Sequence, residues 1–224
     1  MTSDRPYEPF TVVLATHNPH KVKEMLAIFS DTPVQFLTLD NFPGAPEVEE
    51  DGKTLEENAQ KKAYEIARFT RHIALADDSG LEVEFLDGMP GVFSARYAGV
   101  NCSFADNNKK LLAAMKGVPT EHRRARFRCV MALAVPKGAT QTVEGSLTGY
   151  ITDRPRGEEG FGYDPVFLVP DKGKTLAELG PMLKNGLSHR FKALQAVKPI
   201  LLKLRDNILQ HKDKGPLGPP TDII

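Results

Sequence analysis

The chain carries no excess charge of either sign: lysine and arginine together number 29, and so do aspartate and glutamate. A protein whose formal charges cancel lacks the electrostatic footprint of a general DNA or RNA binder, so no nucleic-acid partner is expected. No apolar stretch is long enough to cross a bilayer, so no membrane partner is expected. The polar opening Met1-Thr2-Ser3-Asp4-Arg5 does not have the pattern of a signal peptide. Cysteine is nearly absent. Cys102 and Cys129 form no CxxC pair, which speaks against a disulfide framework and for a reducing, cytoplasmic setting. There is no internal repeat and no long low-complexity segment.

Several familiar motifs are also missing. Without a GxSxG elbow, Ser79 is a poor serine-hydrolase nucleophile. Gly173-Lys174-Thr175 imitates the end of a P-loop, but Leu168 stands where the first glycine belongs. Gly160-Phe161-Gly162-Tyr163-Asp164-Pro165 begins like a dinucleotide fingerprint, yet it precedes a strand and ends in proline. His17 and His20 share a proline-containing loop with no cysteine nearby, which is weak support for zinc.

Strands and helices interleave, so the expected fold class is α/β with a mixed β-sheet. Residues 1–10 read as a loose leader, 11–211 as a single domain, and the Pro/Gly-rich tail 212–224 as disordered. Apolar runs and alternation predict strands at Thr11–Ala15, Val34–Leu39, Ile73–Gly80, Leu81–Phe85, Arg124–Val135, Gln141–Ile151 and Val166–Val169. Helical spacing predicts helices over Lys21–Ser30 and Ser103–Lys116, the second capped by Gly117. A third runs from the capping box Thr54-Leu55-Glu56-Glu57 to about Thr70. A last helix starts at Ser188 and should kink or end at Pro199.

The run Ile73-Ala74-Leu75-Ala76-Asp77-Asp78-Ser79-Gly80 is the most informative. Two acids and a hydroxyl directly behind four apolar residues read either as a strand-ending turn or as a site at a strand end. Four further features bear on that choice. Thr16-His17-Asn18-Pro19-His20-Lys21 joins a buried strand to a helix and offers a hydroxyl, an amide, a cation and helix-end N–H groups to a phosphate, or forms an ordinary turn. The acids Glu47, Glu49, Glu50 and Asp51, followed by Lys61 and Lys62, can help Asp77 or Asp78 hold Mg²⁺, or form a solvated loop. Phe161-Gly162-Tyr163-Asp164 offers a stacking face and an acceptor for a base or ribose, or packs in the core. Lys184 with Ser188-His189-Arg190 gathers donors at a helix start, where Ser188 can also serve as N-cap.

Together these describe a nucleoside-phosphate site. The ordered set Thr16-x-Asn18-x-x-Lys21, Glu57-Asn58-Ala59, Ala76-Asp77-Asp78-Ser79-Gly80, Pro90-Gly91-Val92-Phe93-Ser94-Ala95-Arg96-Tyr97, Gly160 to Pro165 and Ser188-His189-Arg190 resembles the inosine triphosphate pyrophosphatase family over about residues 11–205. The resemblance implies an elongated sheet flanked by helices, two lobes with a substrate cleft between them, and a homodimer. It also implies Mg²⁺-dependent hydrolysis of ITP, dITP or XTP to the monophosphate and pyrophosphate. By the same resemblance Asp78 is catalytic and a metal ligand, and Glu50 a second ligand. Thr16 to Lys21, Lys62 and Ser79 fall at triphosphate contacts, and Phe161 to Asp164, Lys184, His189 and Arg190 near the base and ribose. His17 and His20 stand where the family usually has glycine, and a positive φ at either would strain them. Two alternatives to this enzyme are a non-catalytic purine-nucleotide-binding module and a pyrophosphatase on another phosphorylated substrate.

Overall fold

The computed structural model describes residues 10–212; the expected leader up to Pro9 and the tail after Lys212 lie outside them. Phe10, expected to belong to that leader, is already buried in the core. The chain runs β1 (Thr11–Leu14), α1 (Pro19–Ile28), β2 (Gln35–Leu37), α2 (Leu55–Thr70), β3 (Ile73–Val83), β4 (Pro90–Gly91), α3 (Phe104–Ala114), β5 (Arg124–Ala134), β6 (Thr140–Ile151), β7 (Phe167–Val169), β8 (Lys174–Thr175), α4 (Leu176–Leu187) and α5 (His189–Lys212). One mixed sheet has the order β2-β1-β3-β5-β6-β7-β8, with β4 added to β3. The expected α/β class and mixed, helix-flanked sheet are borne out.

The three long strands β3, β5 and β6 carry separate cores. Over one half of the sheet, Leu75, Cys129 and Met131 pack with Met25, Phe29, Leu194 and Val197 beneath α1 and α5. On the opposite face the small residues Ala74, Ala76 and Ala132 let α2 lie close, through Ala59, Ala63 and Ile66. The far half packs Leu81, Phe127, Leu147 and Phe167 against α3 and α4. Eleven residues of β3 span about 35 Å, enough for two cores along one strand. Gly145 in β6 makes the α5 contact possible: a Cβ there would lie 2.3 Å from the backbone of His189 and Ala193.

Four local expectations change. The strand predicted to stop at Asp77-Asp78-Ser79-Gly80 continues to Val83, because β5 pairs with it from Ala74 to Val83. The predicted separate strand at Leu81–Phe85 is the end of β3 followed by a 3₁₀ turn, Glu84–Leu86. α5 passes through Pro199 to Lys212, because the proline sits on the exposed face while Val197, Leu201 and Leu204 stay packed. α3 ends at Ala114, before Gly117. Sequence reading missed α4; its capping box, Thr175 with Glu178, is present, but Gly180 inside it has a non-helical φ of 73°.

Candidate active site

β1 ends at Leu14, opposite Leu75, and β4 joins the same edge of β3 only at Leu81. From Ala76 to Gly80 that edge has no strand partner, and a cleft of about 710 Å³ opens there. Leu75 accepts from Ala15 N–H and Leu81 donates to Ser94 on this edge. Two-residue alternation therefore turns the backbone groups of Asp77 and Ser79 the same way. The turn reading fails, and Asp77 and Asp78 sit in mid-strand on opposite faces.

Asp78 faces α2. Its Oδ2 accepts from Asn58 Nδ2 at 3.1 Å, and its Oδ1 lies 3.5 Å from Lys62 Nζ. The same ammonium holds Glu50 Oε1 at 2.5 Å. Burial raises the Asp78 carboxyl above the ordinary aspartate value despite Lys62, which makes it a better base. Burial works against the charge on Lys62, but Asp78, Asp77 and Glu50 outweigh it and keep the ammonium protonated. Two carboxylates converging on one cation form a donor set that fits Mg²⁺, which takes its other oxygens from phosphates and water. Among the described residues no group of three His, Cys, Asp or Glu gathers as a complete cage.

Asp77 faces α1 and α5 and is completely buried. Its Oδ2 takes Lys21 Nζ at 2.9 Å, Ser79 Oγ at 3.1 Å and Arg190 Nε at 3.4 Å, while Oδ1 is buried without a partner. Burial alone would raise this carboxyl; Lys21 and Arg190 instead hold it far below the usual range. Glu24, half-buried on α1, joins the next pair, 3.0 Å from Lys184 and 2.5 Å from Arg190. Those cations overcome burial and lower its pKa.

At the other end of the cleft Lys184 Nζ sits 4.5 Å from the Phe161 ring centroid and Arg190 Cζ 5.5 Å from it. Asp164 Oδ2 holds both Lys184, at 2.8 Å, and the Phe161 N–H, at 2.9 Å, so it fixes the shelf. Burial, only partly offset by Lys184, raises its pKa. His189 stacks on Phe127 with centroids 4.6 Å apart and an 8° interplanar angle. Burial, with Arg190 and Lys184 nearby, keeps its imidazole neutral.

The predicted residues Thr16, His17, Asn18, Lys21, Glu50, Lys62, Asp78, Ser79, Phe161, Gly162, Tyr163, Asp164, Lys184, His189 and Arg190 all line this one cleft; Pro19 and His20 do not. Pro19 opens α1, and His20 stacks on Phe161 at 5.1 Å. Neither His17 nor His20 has a positive φ, so the strain considered for them is absent. The helix-end N–H groups expected to greet a phosphate are occupied: Asn18 Oδ1 accepts from His20 and Lys21, starting α1 two residues early. Tyr163 is a core residue whose hydroxyl donates to Ser94 O, so of the two predicted aromatics it is Phe161 that offers a face to the cleft. Asp51 turns outward to Lys61, and Ser188 does cap α5 by accepting from Phe191 N–H. Sequence reading missed Glu24, although its place three residues after Lys21 puts it on the same helix face. It also gave no role to Arg96, whose guanidinium donates to Glu50 O at 2.9 Å.

A sequence-family model described as the Ham1 family matches residues 12–200. The chain is 54% identical over 187 residues to a dITP/XTP pyrophosphatase of Geobacter sulfurreducens, covering 84% of this chain and 94% of that protein. It is 52% identical over 193 residues to a dITP/XTP pyrophosphatase of Desulforamulus reducens, covering 86% and 96%. A solved HAM1 protein from Coxiella burnetii superimposes with a TM-score of 0.81 at 41% identity, covering 87% of this chain and 99% of that one.

Proposed function

The chain belongs to the Ham1 family, and from that premise we propose that it hydrolyses deaminated purine nucleoside triphosphates (dITP, ITP and XTP) to the monophosphate and pyrophosphate, removing them from the nucleotide pool. One observation carries the reading: a single cleft joins a carboxylate–lysine cluster, Asp78, Glu50 and Lys62, to an aromatic shelf, Phe161, ringed by Lys184 and Arg190.

The chemistry follows from these side chains. Asp78 Oδ1, the oxygen not bonded to Asn58, takes a proton from the attacking water. Lys62 exchanges its carboxylates for phosphate oxygens, and with Lys21 it neutralises charge on the departing pyrophosphate. Thr16 and Ser79 supply hydroxyls beside them. At the shelf, Phe161 stacks on the base, while cationic donors favour the 6-oxo acceptor of hypoxanthine or xanthine over the 6-amino donor of adenine. Glu50 and Asp78 would hold Mg²⁺, which when bound neutralises charge on the phosphates.

The reading includes a homodimer, on family resemblance, and a cytoplasmic setting, supported by two free thiols. Among the described residues no helix is long and apolar enough to cross a membrane. Pyrophosphate release from ITP, dITP and XTP against ATP and GTP tests the activity. Turnover of the first three should exceed that of ATP by orders of magnitude; turnover of ATP equal to theirs would refute the specificity, and none on the first three the activity.

A further inference from the structure

Asn58 is 1% exposed and belongs to Glu57-Asn58-Ala59, a motif to which the chemistry above gives no role. Both ends of its carboxamide are engaged. Nδ2 donates to Asp78 Oδ2 at 3.1 Å, and Oδ1 accepts from Gly52 N–H at 2.8 Å. Reversing the amide would set oxygen against carboxylate and N–H against N–H, so its orientation is fixed by chemistry. One helical turn later Lys62 reaches the same two segments, at Asp78 Oδ1 and Glu50 Oε1. The result is a closed circuit: Asp78, Asn58, Gly52, Glu50, Lys62 and back to Asp78.

We infer that Asn58 is a positioning residue that holds the Asp78 carboxylate and the Glu50-bearing loop in register through the two ends of one side chain. The inference rests on the functional reading above for its link to turnover, but not for its structural content. Lys62 cannot do this alone, because its ammonium is the group that turns to the triphosphate. When it leaves, Asn58 remains as the link between the two carboxylate-bearing segments. Gly52 is shaped for this contact: a Cβ there would stand 2.6 Å from Asn58 Oδ1 and 2.9 Å from Glu57 Cβ. Aspartate at position 58 would oppose Asp78 with like charge, and alanine would leave Gly52 N–H without its acceptor.

The test uses the full chain with Asn58→Ala, Asn58→Asp and Gly52→Ala, reading kcat and KM on ITP and amide hydrogen exchange residue by residue. Asn58→Ala should lower kcat about 10- to 100-fold with KM nearly unchanged. Exchange at Gly52 and its neighbours should quicken at least tenfold, while β3 and β5 keep their protection. Asn58→Asp should lose more kcat than Asn58→Ala. Gly52→Ala, which leaves Asn58 in place, should reproduce the local exchange change and serves if Asn58→Ala does not fold. Unchanged exchange at residues 49–53 in the folded variants overturns the inference, as does a kcat equal to the parent's. A loss of protection spread evenly over the sheet also overturns it, since that marks a merely structural role. If the parent hydrolyses no deaminated purine triphosphate, the functional reading fails, and the exchange data still judge Asn58.

Discussion

Asp77 and Asp78 are adjacent in the chain and stand back to back across the sheet. One is locked to Lys21 and Arg190 under α5, the other to Asn58 and Lys62 under α2. Their environments push them apart: lysine and arginine overcome burial and drive Asp77 down, whereas at Asp78 burial prevails and moves it up. Such a split assigns different work to two like residues.

Asp78→Asn should remove turnover, by about 10³-fold or more, while leaving secondary structure and Tm close to the parent. Asn keeps the volume and can still accept from Asn58, but it cannot take a proton. Steady-state pyrophosphate release with circular dichroism checks both halves.

Asp77→Asn should instead destabilise the fold. Removing one partner of a buried ion pair leaves Lys21 without its carboxylate and Arg190 with Glu24 alone, and costs about 3–5 kcal/mol. Urea titration at neutral pH reads this directly.

The same carboxylate sets an acid limb. Its folded pKa lies below its unfolded value, so its stabilisation is complete above that unfolded value of about 3.9 and is lost as pH falls toward the folded one. Wild-type stability should therefore drop steeply below about pH 4, and the drop should be shallower in Asp77→Asn. Urea midpoints between neutral pH and the acid transition would show it.

Phe161→Ala should weaken selection of the base more than chemistry on the phosphates. Base stacking on an aromatic side chain contributes about 1–3 kcal/mol, roughly 5- to 150-fold in kcat/KM. The loss should be accompanied by reduced discrimination between ITP and ATP, measured in competition.

Gly145→Ala should push α5 away from β6, because the new methyl meets the backbone of His189 and Ala193 and not a side chain able to rotate. Overpacking of this kind costs about 1–3 kcal/mol or more. Activity should fall with it, since the displaced turn carries His189 and Arg190.

Local pattern made much of this molecule legible. Alternation exposed β5 and β6, Thr54 and Glu57 marked the start of α2, and ordered short motifs brought the cleft residues together from sequence alone. What escaped depends on distant partners. Asp-Asp-Ser-Gly has the composition of a turn, and only pairing with β5, some fifty residues later, holds it extended. Gly180 broke the helical signal of α4. Pro199 is tolerated because packing on both sides of it keeps α5 on the sheet. Glu24 looks like an ordinary polar helix position until Arg190 arrives from elsewhere, and the motif that holds Asn58 shows no task until Gly52 does.

The gap in pairing along β3 has a bearing on solubility. An unpaired stretch of strand inside a sheet invites a foreign segment to dock as one more strand, the usual route to edge-to-edge aggregation. Here an intruding strand would have to cover Asp77 and Asp78, one on each face, together with the cations that answer them. The acids that equip the cleft for chemistry thus also guard a hole in the sheet, and a variant stripped of both would be left open to its own neighbours.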